Sequence, residues 1–330
     1  MPGVIWYLVK RIVGMIPLLL GISIISFITI HLTPGDPVSL VNDLNPEVSR
    51  EATARLYAMY GLDQPLHIQF WEWLSRMATF DFGESFSPDR RPVATIIVER
   101  LPITLGINVV SLIVIFAVSM LLGIISAVRK DSLWDKGITV FVFVLFALPG
   151  FWIALLCIMF FSVELGWFPV SGIKSFHYHA LSPLGKILDI AHHLVLPVAV
   201  SILGSLAGIS RYMRSSMLGV LSQDYILTAR SKGLSEYRVV GIHALRNALI
   251  PVITILGLSL PGLIGGSVIF ETIFSIPGMG QLFYQSVMSR DYPVVMGILV
   301  IGALLTLVGN LLADILYAVA DPRIRLAGRP

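Results

Sequence analysis

The stretch LPITLGINVVSLIVIFAVSMLLGIISAV, residues 101–128, runs 28 residues without one Asp, Glu, Lys or Arg. A helix of about 20 apolar residues covers the hydrocarbon layer of a bilayer, so this stretch predicts a membrane span with length to spare. Working outward from it, five more runs meet the same test: residues 12–35, 137–163, 190–210, 247–270 and 292–313, of 24, 27, 21, 24 and 22 residues. A seventh charge-free run, 272–289, differs in kind. It holds Pro277, Gly278, Gly280, Gln281 and Gln285 and reads as a loop or a re-entrant segment shielded by protein. The expected fold class is all-α, an integral membrane protein of six spans.

Composition agrees. Of 330 residues, 56% are hydrophobic and 13% charged, about half the charged share of an ordinary soluble domain, and mean hydropathy is +0.85. No water-soluble core of this size hides so much apolar surface, which excludes a soluble globular enzyme and a disordered chain. The single cysteine, Cys157, excludes an internal disulfide framework and a cysteine metal cluster. A net charge of +3 gives no sign of nucleic acid. Lys10 and Arg11 precede the first run as they would a signal peptide, but the run is too long for a signal core and no small-residue cleavage site comes after it. It reads as a retained span.

Orientation follows from Lys and Arg at the span ends. With the N-terminus cytoplasmic, 14 basic residues fall inside, among them Arg129, Lys130, Arg211, Arg214, Arg230 and Lys232, whereas the two shorter outside loops hold only Lys174, Lys186 and Arg290. Both termini are therefore expected in the cytoplasm, with the segment 36–100 outside. Within that segment, residues 47–60 have helical spacing and Gly61 stands where a helix would stop. Residues 67–78 are aromatic and amphipathic, either a helix in the headgroup layer or a platform for an external partner.

The cytoplasmic stretch 211–246 carries six basic residues against Asp224 and Glu236. Ser222 is placed to cap a helix over 223–231, Gly233 to end it in the left-handed conformation, and Ser235 to cap the next. Helix, glycine turn, helix is a docking shape. No phosphate-cradling Gly-Lys-Ser/Thr loop, GxSxG elbow or HExxH helix accompanies it, and Gly185-Lys186 is followed by Ile187. If ATP is used, another chain hydrolyses it.

Other residues leave alternatives open. Glu271, at the outer end of the fifth span, is either a gate residue held by Arg290 or by a partner, or a wetted carboxylate. Asn310 and Asp314, one turn apart, favour a structural polar contact over substrate binding. Pro149-Gly150, Pro197 and Pro261-Gly262 interrupt spans three, four and five, and suit either a moving pathway or ordinary membrane helices. His177, His179, His192 and His193 share one outside loop, yet adjacent His192 and His193 diverge by about 100° on a helix, so no metal site is assigned.

These residues resemble a known family. Arg11-Ile12 through Leu32-Thr33-Pro34-Gly35-Asp36-Pro37, Asp224-Tyr225-Ile226 through Thr228-Ala229-Arg230-Ser231-Lys232-Gly233-Leu234, His243-Ala244-Leu245-Arg246-Asn247-Ala248 with Pro251, Glu271-Thr272-Ile273-Phe274-Ser275-Ile276-Pro277-Gly278-Met279-Gly280 with Arg290-Asp291-Tyr292-Pro293, and Asp314 to Asp321-Pro322-Arg323-Ile324-Arg325 resemble the first permease of bacterial ATP-binding-cassette importers of the dipeptide, oligopeptide and nickel type. Thr228 stands where the general importer coupling motif has an acidic residue, and Arg230 where it has a second alanine. Both departures fit the peptide and nickel branch.

The resemblance implies the type I importer permease fold: a first span in 1–35, an external segment 36–100, a five-span core 101–320 with a coupling loop 211–246, and a cytoplasmic tail 321–330. It implies a non-catalytic translocation subunit of a binding-protein-dependent importer in the bacterial cytoplasmic membrane, working by alternating access. Peptides are the favoured cargo, with nickel or an oligosaccharide as the alternative; an intramembrane enzyme or a scaffold fits the residues less well. The implied partners are a second, homologous permease, two ATPases that bind ATP and magnesium, a substrate-binding protein and the bilayer; the chain itself takes no cofactor. Coupling to the ATPases would fall to Asp224, Tyr225, Thr228, Ala229, Arg230, Lys232 and Gly233, with Ala229 allowing close approach and Arg230 and Lys232 either meeting acidic rims or anchoring the loop. The external gate would fall to Glu271, Pro277, Gly278, Gly280, Arg290 and Asp291.

Overall fold

Hydrocarbon offers a peptide group no partner, so a chain crossing it satisfies its own N–H and C=O groups by coiling. In the computed structural model the described residues of the apolar runs are accordingly helical over most of their length. The structure describes residues 2–32, 35–39, 49–263 and 265–320, with side chains at all of these except 2–9 and 313–320. Thr33, Pro34 and residues 40–48 and 321–330 lie outside the described residues, as do the side chain of Asp314 and the first residues of the expected 47–60 helix.

The helices are α1 (Pro2–Leu32), α2 (Arg50–Tyr60), α3 (Leu66–Ala78), α4 (Val93–Val128), α5 (Leu133–Ala147), α6 (Gly150–Cys157), α7 (Pro183–Leu221), α8 (Asp224–Ser231), α9 (Leu245–Ser259), α10 (Val268–Ile273), α11 (Met279–Met288) and α12 (Tyr292–Ala320). Among the described residues 5 helices are long and apolar enough to cross a membrane, or 6 if the bent third pair is one span. The expected six spans are there on that count.

Several features add to or differ from the sequence expectation. Some spans are longer than their charge-free runs, α4 with 36 residues and α7 with 39 among them, because a helix does not stop at its first charge and long basic side chains reach the interface from inside it. The third apolar run is two helices bent by 98°, at the Pro149-Gly150 interruption that the sequence marks. Pro149 disfavours the α conformation at Leu148, which is extended at φ −88°, ψ 137°. Pro197, by contrast, sits inside unbroken α7, and Pro261-Gly262 fall in a 3-10 turn, Leu260–Leu263, at the end of α9. Within the run 272–289, expected as a loop or a re-entrant segment, residues 279–288 form the ten-residue α11.

By its contacts the chain divides into two compact units, one of residues 1–104, 264–271 and 277–311, the other of 105–263, 272–276 and 312–330. The first packs around Phe27, Trp73, Phe82, Val93, Ile97 and Val294. The second packs around Met213, Met217, Ile226, Val239, Ala244 and Ala248. On α1, by contrast, Val13, Ile16 and Ile25 are more than half exposed, as suits a face turned to lipid.

In the external segment, α2 starts at Ser49, whose hydroxyl accepts the Ala52 N–H, and stops at Gly61 at φ 67°. On α3, Trp73 is buried and Trp71 exposed.

Candidate functional site

Two clusters collect the sequence candidates. In the second unit, α8 comes directly after α7. It buries Ile226 and Ala229, three residues apart, in the core, while Asp224, Tyr225, Thr228, Arg230 and Lys232 remain exposed. The Ala229 methyl thus faces the chain's own core, so the close approach it permits is internal, not toward a docked partner.

A full C-terminal cap ends α8. The Gly233 N–H donates to the Arg230 carbonyl at 2.9 Å and the Leu234 N–H to the Ala229 carbonyl at 3.4 Å, the paired bonds of a Schellman turn. Gly233 stands at φ +77° with open space around it, so backbone conformation and not crowding calls for glycine here. Two side-chain bonds brace the helix further. Asn247 Nδ2 donates to the Tyr225 hydroxyl at 2.7 Å. Arg230 Nε and Nη2 donate to the Glu236 carboxylate at 2.8 and 3.3 Å. Arg230 is therefore engaged within the loop, whereas Lys232 projects from it.

One cap falls elsewhere than expected. Ser222 ends α7, its hydroxyl donating to the Gly219 carbonyl at 2.9 Å; Gln223 holds the N-cap position of α8 without a side-chain bond. The reason is length, because α7 runs eleven residues past the charge-free run and uses up Ser222. Ser235 does stand at the next N-cap, again without a side-chain bond. Beyond Ser235 the chain forms no separate docking helix: a single turn, Glu236–Arg238, leads through a π turn into α9. Leu227 and Tyr237, 54% and 85% exposed, belong with Tyr212, Tyr225 and Ile242 to the apolar surface of this loop. Sequence pattern did not single out Leu227 or Tyr237, because an exposed apolar residue has no signature before the burial of Ile226 and Ala229 orients the helix.

In the first unit the carboxylate of Glu271, on α10, is buried at 5% exposure. It accepts the Thr104 hydroxyl at 3.0 Å and the Gln281 N–H at 2.9 Å, and the Gly280 N–H as well. Gly280 and Gln281 lie in the first turn of α11, whose N-cap, Gly278, has no side chain. Glu271 thus does from another helix what a capping side chain does locally, and a negative group there also meets the positive end of the helix. Burial pushes the Glu271 carboxyl above its ordinary pKa, while the three donors pull the other way. Gly278 is required by space: a Cβ there would sit 2.6 Å from the Glu271 carboxylate. Thr104, which also accepts the Met279 N–H at 2.8 Å, completes this cluster from inside a span where no sequence signal marked it.

Glu271 does not pair with Arg290. Arg290 Nη1 donates to the Asp36 carbonyl at 3.2 Å and to Ser39 Oγ at 2.9 Å, and its backbone is held at φ 54°. Asp291, 3% exposed, accepts from the Ser85 hydroxyl, from the Phe86 N–H at 3.2 Å and from the Val294 N–H at 3.4 Å, so it caps α12. Pro277 precedes α11. The outer-loop candidates therefore serve several separate anchors, one of them Glu271 with Gly278 and Gly280.

The four outside-loop histidines do not converge. His177 precedes a 3-10 turn, Tyr178–Ala180, and His179 lies within it; His192 Nε2 meets the Trp167 carbonyl at 2.7 Å, and His193 Nδ1 the Asp189 carbonyl at 2.8 Å.

Residues 119–326 match the family described as the binding-protein-dependent transport system inner membrane component, and residues 4–108 match the N-terminal part of such membrane components. The chain is 48% identical over 318 residues to the oligopeptide transport system permease protein AppB of Bacillus subtilis strain 168, covering 96% of this chain and 98% of that protein. It is 40% identical over 337 residues to the di/tripeptide transport system permease protein DppB of Pseudomonas aeruginosa strain UCBPP-PA14, covering 97% and 98%. A solved structure of the MetNI methionine ABC transporter in an inward-facing conformation shares the fold, at a TM-score of 0.55 and 17% identity over 69% of this chain and 97% of that one. With a family match across most of its length and full-length relatives this similar, the chain belongs to the binding-protein-dependent transport system inner membrane components, as an ABC importer permease of the dipeptide and oligopeptide type.

Proposed function

We propose that this chain is the translocation subunit of an ATP-driven importer of di- or oligopeptides, working by alternating access in the bacterial cytoplasmic membrane with both termini inside. Full-length similarity to permeases named for oligopeptides and di/tripeptides carries the cargo reading. A second, similar permease completes the path, a substrate-binding protein delivers cargo from outside, and two ATPases bind ATP and magnesium beneath.

The geometry of α8 supports its role as the coupling element. It joins α7 to the helical entry of α9, is anchored by Ile226 and Ala229, and is braced by the Tyr225–Asn247 and Arg230–Glu236 bonds. A push on such a helix moves two spans together instead of bending a loop. Leu227, Tyr237 and Lys232 offer the outward surface for an ATPase groove. In the first unit, the cradle of Glu271, Gly278 and Gly280 holds the outer loop in one conformation.

Proteoliposomes holding this chain with its partner permease, ATPases and binding protein should take up a labelled dipeptide only with ATP and binding protein present. Uptake of nickel or an oligosaccharide in place of peptide would overturn the cargo reading.

A further inference from the structure

The first unit contains a cavity of about 630 Å³ where α3 and the loop 81–92 meet the ends of α1 and α12. That volume lies within the roughly 300–1,000 Å³ of small-ligand sites. Its apolar wall includes Trp73 and Phe82, both buried, with Phe86 and Tyr292. Glu72 and Arg76, one turn apart on α3, also line it. Arg90 and Glu84 do too, but are paired with each other at 3.1 Å. Among the described residues, Glu72 and Arg76 form no ion pair or side-chain hydrogen bond, not even together. An uncommitted acid and an uncommitted base thus stand beside an aromatic wall.

Side chains four apart on a helix have Cβ atoms about 5–6 Å apart. The ammonium and carboxylate of a dipeptide flank two Cα atoms 3.8 Å apart, which places the two charges at about that same separation. We propose that this cavity is a subsite for a short zwitterionic peptide, its ammonium on Glu72, its carboxylate on Arg76 and its apolar side chain against Trp73 and Phe82. The proposal rests on the peptide reading above and adds a site on this chain itself, separate from the binding protein. A zwitterionic phospholipid headgroup presents the same pair of charges, so the test separates the two sources.

The full-length chain, assembled with its partner permease in phosphatidylglycerol nanodiscs without binding protein, is titrated with tritiated Ala-Phe. Saturable binding is expected, weakened at least tenfold by Glu72→Arg or Arg76→Glu. The double variant E72R/R76E should recover much of it, because the peptide can bind reversed; this variant also decides the matter if a single swap fails to assemble. N-acetyl-Ala-Phe-amide should not compete. Absence of binding, competition by the blocked peptide, or wild-type binding by the swapped variants would each overturn the proposal. So would phosphatidylethanolamine that co-purifies with wild type, is lost in Arg76→Glu and excludes the peptide. Uptake by the complete transporter is measured alongside. Uptake without subsite binding defeats the subsite alone, whereas no uptake of any peptide defeats the peptide reading.

Discussion

Arg214 and Asp135 meet as a two-pronged fork, Nε donating to Oδ1 at 2.8 Å and Nη2 to Oδ2 at 2.6 Å. Ser126 also donates to Asp135, and the Asp131 N–H reaches Oδ2 at 2.9 Å. One carboxylate, 5% exposed at its side chain, thereby ties α4, α5 and α7 together on the same helix that leads into α8. Removing one partner of a buried pair leaves an uncompensated charge and costs about 3–5 kcal/mol, while replacing both with apolar groups is far milder. Asp135→Leu and Arg214→Leu should each lower the melting temperature of the purified complex markedly. The double variant should melt above either single one. Additive losses would show that the two groups act independently.

The Glu271 cradle makes a graded prediction. Alanine leaves three donors unmet, at about 1–3 kcal/mol for each group that stays buried, whereas glutamine keeps an acceptor but turns an amide N–H toward one of the donors. Protease protection of the outer loop should rank Glu271 above Gln above Ala. The pH dependence has a definite sign. Because burial raises the folded carboxyl pKa, wild type's advantage over Glu271→Gln should be fullest below the ordinary glutamate pKa, about 4.3. It should shrink as pH rises through the raised folded value. An advantage that grows over that window would mean the donors outweigh burial.

Topology is checked with single cysteines in a background lacking Cys157. Ser182 and Ser222 are both exposed and lie at opposite ends of α7. A cysteine at 182 should react with an impermeant thiol reagent from outside, and one at 222 only from inside. The reverse sidedness at both would contradict a cytoplasmic N-terminus.

What the sequence made legible tracks how local the determining physics is. Charge-free runs found the spans, because hydrocarbon imposes one requirement on every residue in it. Gly233 marked the end of α8, because the Schellman turn is built from residues 229–234 alone. Span ends were less legible: Lys186 and Asp189 sit inside α7, and Ser222 was spent on ending that helix. Thr104 with Glu271, and Asp135 with Arg214, are pairs 167 and 79 residues apart. Arg214 entered the charge count only as one more cytoplasmic basic residue. Neither pair leaves a mark on its own neighbourhood in the chain.

On this reading α8, stopped by Gly233, carries force between the ATPases and the spans. The most direct measurement is ATP hydrolysis and peptide uptake by the reconstituted Gly233→Val complex. At φ +77° a β-branched residue is strained by about 1–3 kcal/mol, too little to unfold the spans but enough to misplace a helix that ends there. The account predicts a complex that inserts and pairs normally, hydrolyses ATP without response to loaded binding protein, and takes up no peptide. Wild-type uptake by a correctly inserted Gly233→Val complex would contradict it and leave the loop a basic anchor.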